Sequence, residues 1–577
     1  MAGLDMEDER FLAYLAERMP GDPEILSRLA VIRVRLGALD GAAAAAERAV
    51  ELAPGLAEAH AALGLVRART QRVAEARASL ERAVQLNPNL GPAWMYLGEV
   101  LSQAPDQPQA GLDALRRACG LMPRDPRPLN ALAGAMMACK QYEDALGVYR
   151  AATAAATDPS PADMLNNMGV ALERLERREE AVAMIRSASL IRPDSPAIQD
   201  NLGNSLLGTA RAEEAEVCHR RALALGAKGG ETWSNLGNSL HRQGRLDEAD
   251  AAYRRAIQIN PDGAKFHTNL ALNLLLSGRM EEGWREYEWR WRDHPNLPAY
   301  LTDRVWKGEA LPPDLPAGGT LLLQAEQGYG DTLQFIRYVP LLKARGVTRV
   351  VLASQPELVR LMETAPGLDQ VVGEAGPLPP FDKALTLLSL PGLLADLSAP
   401  APPPYLSVPA GVQVRLPDAP AGTLKVGLAW AGRPTHGDDW NRSIPARMLD
   451  PILDVPGVAF YSLQRGAVMP RLGRPPIDKL LEAADLCADF CDTAAMLRDL
   501  DLIISVDTAV VHLAGAMGKP VWLLLPAVPD FRWRMEGDTS EWYPAFRLFR
   551  RRSQSGWEVP IARVAEALRA ETAFTST

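Results

Sequence analysis

Two rhythms of apolar and polar positions divide this chain. From about Pro23 to Trp291 the apolar positions carry a long period. The pair Leu63-Gly64 returns as Leu97-Gly98, 34 residues on, and Leu202-Gly203 returns as Leu236-Gly237 at the same step. Met168-Gly169 and Leu270-Ala271 fall on this grid. Small residues follow at a fixed distance, at Ala76, Ala110, Ala181, Ala215 and Ala249, and prolines keep time at Pro54, Pro88, Pro123, Pro159, Pro193 and Pro261. Between Ala104 and Gly134 the register slips by a residue or two, which predicts a loop insertion. A period of this length predicts stacked helical hairpins. The small residue lets two helices approach closely. The proline ends the second helix, because it lacks an amide and clashes with the preceding turn. About eight units fit, the last one modified: Gly283 replaces the alanine, and EGWREYEWRW follows.

From Gly319 the rhythm shortens. Strands are predicted over TLLLQ, RVVLA, DQVVG and KALTLL, separated by helical segments such as 332–345. Strands alternating with helices imply a parallel sheet with crossover connections. Pro340 lies inside the first of these helices and must kink or split it. The stretch SAPAPPPYLSVPA, 398–410, is too rich in proline for a helix or an inner strand and is read as a linker. A second series follows, with KVGLAW, GVAFYSL, DLIISV and PVWLLLP as strands. The expected organisation is an N-terminal helical cap (1–22), a helical solenoid (23–292), a connector (293–318) and two α/β lobes (319–410 and 411–577), with a hinge between the lobes and a cleft at the strand ends.

Four segments follow directly on predicted strands: EQGYGDTLQ, GLAWAGRPTHGDDWNRS, YSLQRG and SVDTAVVHLAGAMGKP. They are placed at the carboxyl ends of the sheets, where α/β folds bind ligands. In the first, Gly328 and Gly330 bracket Tyr329 in what reads as a tight glycine turn, with Asp331 at the lip of the next helix. In the last, a strand runs into Asp507-Thr508 and a helix start, whose backbone amides favour a phosphate. Thr508 adds a hydroxyl, and His512 follows about one turn later. Asp438-Asp439 is not an Asp-x-Asp pair, and no metal is expected there.

Composition narrows the class. At 577 residues the chain needs several cores. No apolar run reaches the roughly 18 residues of a membrane span, and the acidic N-terminus MAGLDMEDERFLAYLAERM has no signal-like apolar core. A cytoplasmic protein without a membrane span is expected. The net charge of −9 gives no support for nucleic-acid binding. The five cysteines form no Cys-x-x-Cys pair and read as small buried side chains. Asn167, Asn201, Asn235 and Asn269 recur two positions before the glycine or its equivalent. An amide both donates to and accepts from a peptide backbone. A column of amides along a groove would therefore hold a polypeptide, although asparagine also simply suits a helix surface.

The period, the Leu-Gly pairs and the prolines resemble the tetratricopeptide repeat. The later motifs, EQGYGDTLQFIRY, FDKALTLLSLP, KVGLAWAG, RSI, FYSLQRG, SVDTAVVHLAGAMGKPVWLLLP and EWYPAFRLFR, cover most of Trp306 to Trp557. They are similar to the glycosyltransferase domain of bacterial tetratricopeptide-repeat proteins, to heptosyltransferases and, more distantly, to O-linked N-acetylglucosamine transferases. The resemblance implies an all-α TPR solenoid followed by an α/β GT-B domain of two Rossmann-like lobes, acceptor side first and nucleotide-sugar side second. It also implies inverting sugar transfer with no cofactor or metal, the nucleotide sugar being the substrate.

By the same resemblance Asp331 matches a proposed general base, a role that fits the proton loss of an attacking hydroxyl. Capping the following helix suits an aspartate there equally well. Asp507, Thr508 and His512 match the donor site. Arg442 is a candidate to neutralise the leaving phosphate and Gln464 to meet the nucleotide. The four asparagines match positions that contact the acceptor protein. Proteins of this architecture resemble the flagellin-modifying glycosyltransferases of alphaproteobacteria. That resemblance implies flagellin as the partner and a nonulosonic acid, such as pseudaminic or legionaminic acid, delivered from its CMP conjugate. Two alternatives stay open: a heptosyltransferase-like enzyme acting on lipopolysaccharide or another glycan, and a non-catalytic scaffold.

Overall fold

A computed structural model describes residues 2–104, 107–155, 162–292, 301, 318–394, 400–433, 438–465, 472–476, 479–552 and 556–575. The repeat proline Pro159 lies outside the described residues, as does the connector apart from Leu301 and Gly318. The chain forms two compact units, Met1–Lys228 and Gly229–Thr577.

Among the described residues seventeen α-helices run from Ala2 to Tyr287, and those from Pro23–Arg35 to Met280–Tyr287 form eight successive pairs. The Leu-Gly pairs explain the pairing. Gly64 faces Leu80, Gly169 faces Ile185, Gly203 faces His219 and Gly237 faces Tyr253, and a Cβ at any of these glycines would lie under 3.0 Å from that side chain. The helices approach closely because the glycine leaves room for the large residue of its partner. Ala76, Ala181, Ala215 and Ala249 are fully buried. Ala110 departs from this series. It is exposed, and Gly111 takes the buried small-residue position against Ser102. An insertion between the two helices moves the register by one, so Gly98 faces Leu115 across a step one residue longer than elsewhere.

The division between the units falls inside the repeat array, not at residue 292. The last two helix pairs belong to the same compact unit as the α/β region. The modified last repeat supplies the reason. Trp284 is buried and meets Phe335 and Phe531 edge-on, with ring centroids 5.6 Å away in both cases. It shares one hydrophobic core with Leu323, Leu333, Tyr338 and Trp533.

The first lobe is a parallel sheet of β1 (Thr320–Gln324), β2 (Arg349–Ser354), β3 (Gln370–Gly373) and β4 (Lys383–Thr386), in the order β3-β2-β1-β4. Leu301 packs on it, against Leu322, Val351 and Ala384. The second lobe comprises β5 (Leu424–Ala429), β6 (Val458–Ser462), β7 (Leu481–Glu482), β8 (Leu502–Val506), β9 (Val521–Leu525) and β10 (Phe546–Arg550). Its order is β10-β9-β8-β5-β6-β7, again parallel throughout. Strand order reverses between β1 and β4 and between β5 and β8, so the segments leaving β1, β5 and β8 stand at the switch points where such sheets take ligands. Strand β10 was hidden in the aromatic- and arginine-rich tail; Phe546 and Leu548 point inward while Arg547 is exposed.

Pro340 splits its helix. Tyr329–Phe335 is α-helical, Ile336–Tyr338 tightens to a 3-10 turn, and Val339–Ala344 resumes. The proline sits at the start of the last piece, where its missing amide costs no bond. The linker after the first lobe is no free hinge. Arg337, fully buried, donates to the carbonyls of Pro400, Ala401 and Trp542, each at 3.0 Å. Tyr405 donates its hydroxyl to Leu333 and its amide to Ala516. The linker is therefore fastened to both lobes.

His219 occupies the place that other repeats give to leucine, isoleucine or tyrosine, and burial pushes its imidazole down to about 4 from an ordinary 6.5. The folded state holds this ring neutral and the unfolded state protonates it first. Its contribution to stability is complete above pH 6.5 and is lost as pH falls from there toward 4. His219→Leu is expected to remove on the order of 2 kcal/mol of the destabilisation seen between pH 7.5 and pH 5, measured by denaturant unfolding of both proteins at the two pH values.

Candidate active site

The turn after β1 is set by the last repeat. Arg290 is buried and donates to both carboxylate oxygens of Glu326, at 2.9 and 3.0 Å, and to Thr386 and Ser389. Burial disfavours its charge, but Glu326 and Glu288 outweigh that and raise its pKa. Glu326 in turn accepts the Leu388 amide at the end of β4. Gln327 donates to the Tyr287 hydroxyl and takes φ of 60°, the left-handed region. Gln327, not a glycine, therefore makes the sharp turn expected of Gly328 and Gly330. Gly330 is required for space: a Cβ there would lie 2.7 Å from Cδ2 of His512. The helix Tyr329–Phe335 of the first lobe packs on the helix Ala509–Ala516 of the second at this point.

Asp331 sits on that seam. Its Oδ2 accepts the Gly328 amide at 2.9 Å, which caps the helix. Its Oδ1 pairs with Nη2 of Arg532, a second-lobe residue following β9. Nε of Arg532 donates to Gln334 and Nη1 to Asp530, the latter at 2.8 Å. Burial works against the charge of Arg532, but Asp530, Asp331 and Asp507 together hold its pKa above the ordinary value.

Asp507 is the next member. Burial alone would raise its pKa, yet His512, Arg442 and a hydrogen bond from Trp533 bring it down to about 2. Trp533 Nε1 donates to its Oδ2 at 2.9 Å, and His512 Nε2 lies 3.7 Å from its Oδ1. His512 Nδ1 is 3.1 Å from the Tyr543 hydroxyl, and its ring stacks on Trp533. Thr508 is the N-cap residue of Ala509–Ala516, with its hydroxyl 3.4 Å from Ser505 Oγ rather than on a helix amide.

The structure thus gathers Asp331, Asp507 and His512 at one seam, with Thr508 at its rim and the charge of Arg442 within reach. Gln464 has another task. Its Oε1 accepts the Ala431 amide at 3.0 Å and ties the ends of β5 and β6 together. Asp438 and Asp439 face different partners. Asp438 pairs with Arg242 of the repeat helix Gly230–Arg242, whose guanidinium also lies over the Trp440 ring. Asp439 turns inward to Ser443 Oγ at 2.8 Å and Arg442 Nε at 3.5 Å. Among the described residues no three His, Cys, Asp or Glu side chains gather as a metal site.

Arg532, Trp533, Tyr543 and Gln334 complete the cluster, and sequence reading passed over them as sites. The signal was the PDFRWR run beyond a strand end, where charges between aromatic residues mark a buried polar seam. Cys487 and Cys491 are buried and free, and burial pushes the Cys491 thiol up to about 11.

The asparagines are half-buried. In the first unit Asn201 donates to Asn166 of the preceding repeat at 3.0 Å, and Asn166 donates to Asn167 at 3.4 Å. In the second unit Asn269 donates to Ser234 at 3.1 Å. The amides of Asn201 and Asn269 thus tie successive repeats, which uses part of the capacity that a bound polypeptide would need; Asn235 stands half-buried on the same helix as Ser234.

Sequence profiles of the tetratricopeptide repeat match residues 9–57, 57–90, 140–196 and 230–262. The N-terminal array is a tetratricopeptide-repeat solenoid, an architecture that binds other proteins, and an α/β region of parallel sheets follows it. Protein FlbA of Caulobacter vibrioides is 27% identical over 318 residues, which cover 50% of this chain and 52% of FlbA. The chain thus spans about half the length of this curated relative. Among solved structures, YrrB, described as a TPR protein with an unusual peptide-binding site, is 27% identical, with 32% of this chain and 93% of YrrB covered at a TM-score of 0.25. The APC/C tetramer Cut9–Hcn1 is 15% identical, with 50% and 56% covered at a TM-score of 0.40. Among the described residues no helix is long and apolar enough to cross a membrane.

Breaking a buried ion pair leaves an uncompensated charge and costs about 3–5 kcal/mol. Arg290→Ala is expected to destabilise the second unit by that amount, whereas Arg290→Met with Glu326→Leu recovers most of the loss; urea denaturation followed by tryptophan fluorescence reads both.

Proposed function

We propose that this protein is a protein O-glycosyltransferase. In this reading the tetratricopeptide repeats recruit an acceptor protein, and the α/β unit transfers a sugar to a serine or threonine hydroxyl. One observation carries the reading. The Gly-Asp turn leaving β1 and the Asp507-Thr508 helix start leaving β8 are packed on each other, each at the switch point of its own sheet. A candidate base and a phosphate-favouring helix start thereby face one locus. The motif resemblance supplies the reaction type, inverting transfer from a nucleotide sugar without a metal. Asp331 takes the proton of the acceptor hydroxyl as its oxygen attacks the anomeric carbon. The amides opening Ala509–Ala516, with Arg442 nearby, receive the charge that develops on the departing phosphate.

Flagellin is the proposed acceptor, and a nonulosonic acid from its CMP conjugate the proposed donor. The resemblance of the motifs to flagellin-modifying glycosyltransferases supports the flagellar part. A cytoplasmic location follows from that acceptor and from a nucleotide-sugar donor. A second reading, a non-catalytic scaffold, is favoured by one observation: both oxygens of Asp331 are engaged, one as helix cap and one in an ion pair.

The two readings separate in one experiment. Purified protein is incubated with flagellin and the CMP-activated sugar, and intact mass is followed. The transferase reading expects a discrete mass gain, and Asp331→Asn is expected to slow it by about 10²–10⁴-fold while flagellin still co-purifies with the variant. Unchanged flagellin mass across CMP-, UDP-, GDP- and ADP-activated sugars favours the scaffold. Label transferred to a lipid or polysaccharide fraction instead of protein favours the lipopolysaccharide alternative.

A further inference from the structure

The Arg532 guanidinium is divided between two sets of partners. Gln334 and Asp530 hold Nε and Nη1, and the ring of Phe531 lies 4.5 Å below its centre, so the plane of the group is fixed without help from Asp331. Nη2 turns to Asp331, and this contact, like that of Nε with Gln334, crosses the seam between the lobes. Beside it Gln334 is fully buried, and its Nε2 has no hydrogen-bond acceptor. A buried amide donor without a partner is costly, and an acceptor oxygen brought to this spot would satisfy it. Asp507 is close enough to add to the charge balance of Arg532, and it immediately precedes the N-cap of Ala509–Ala516. The cation, the orphan amide and the helix start thus belong to one neighbourhood.

We propose that Asp331 and Arg532 are a charge-exchange pair, in which Nη2 of Arg532 passes from Asp331 to the leaving phosphate as Asp331 takes the acceptor proton. This rests on the transferase reading. The acceptor O–H bond breaks and its proton goes to Asp331. The acceptor oxygen forms the new bond to the anomeric carbon, and the bond from that carbon to the donor phosphate oxygen breaks with its electron pair left on the phosphate. One negative charge disappears at Asp331 and one appears on the phosphate. Arg532 therefore keeps a partner throughout, and a guanidinium held in place by its other two nitrogens needs little reorganisation to change it. In the ground state the ion pair screens the cation from the donor, so Arg532 acts mainly where charge develops, which is where an interaction accelerates a reaction. Arg532 is thereby assigned as a catalytic residue, and the engagement of Asp331 as the resting state of the pair.

The pair can be tested without turnover, because Asp331 and a phosphate compete for one nitrogen. Binding of CMP, UDP, GDP and ADP to the full-length protein is measured by titration calorimetry at fixed salt. For the nucleotide that binds, Asp331→Asn is expected to tighten affinity at least about ten-fold, since the amide removes the competing charge. Arg532→Gln is expected to weaken affinity at least about ten-fold, and the double variant is expected to match Arg532→Gln alone, since the gain acts only through that arginine. Arg532→Lys, which keeps the charge without the fork, serves in its place if the glutamine variant fails to fold. The exchange is overturned if Asp331→Asn binds no more tightly than wild type, if its gain persists without Arg532, or if none of the four nucleotides binds Asp331→Asn. Sugar transfer by the wild type with an unchanged Asp331→Asn affinity would sink the exchange and leave the transferase reading standing. A gain confined to Arg532, in a protein that transfers none of the activated sugars, would support the exchange of partners and sink the transferase reading.

Discussion

A guanidinium removed from water has to be answered by oxygen atoms, and the α/β unit is built around three that are. Arg290 is answered by Glu326 and the hydroxyls at the end of β4, Arg337 by three carbonyls, and Arg532 by Asp331, Asp530 and Gln334. Each set of answers is drawn from segments far apart in sequence. Burying these cations therefore fixes the last repeat, the first lobe, the linker and the second lobe in register with one another. Apolar packing around Trp284 supplies contact area, but the geometry of the seam follows from the arginines, because a fork of N–H donors accepts few arrangements.

This arrangement changes what the end of the solenoid is for. Tyr287 and Arg290 belong to the last repeat, yet their partners are Gln327 and Glu326, two residues that shape the turn leading to Asp331. Arg242, from an earlier repeat of the same unit, meets Asp438, which immediately precedes the short helix Asp439–Arg442. A partner protein held by these repeats would thus rest on elements that also shape both halves of the candidate site. The departure of the last repeat from the usual pattern, with Gly283 and an aromatic run, is the sequence trace of that second duty.

Much of this was legible from the chain alone. The 34-residue period located the helix pairs, since each pair must place a small residue under a large one. The alternation after Gly319 located eight of the ten strands among the described residues. β7 escaped because it is only two residues long, and β10 because its arginines masked a two-residue alternation. Ala110 was misplaced because a one-residue insertion moves every later position of a repeat while leaving its composition unchanged.

The sequence by itself determined the two rhythms, the placement of Asp331, Asp507, Thr508 and His512 at strand ends, and the family likeness of the motifs. These are local properties, written in spacing and in the order of residues along one segment. Only the tertiary structure decided that Gly330 serves His512, that Gln464 serves a backbone amide, and that Asp331 is answered by Arg532, 201 residues away in sequence. Pairings of that kind leave no periodic trace. They follow from which strand ends the sheet order brings together, and from the need of a buried charge to find its counterpart there.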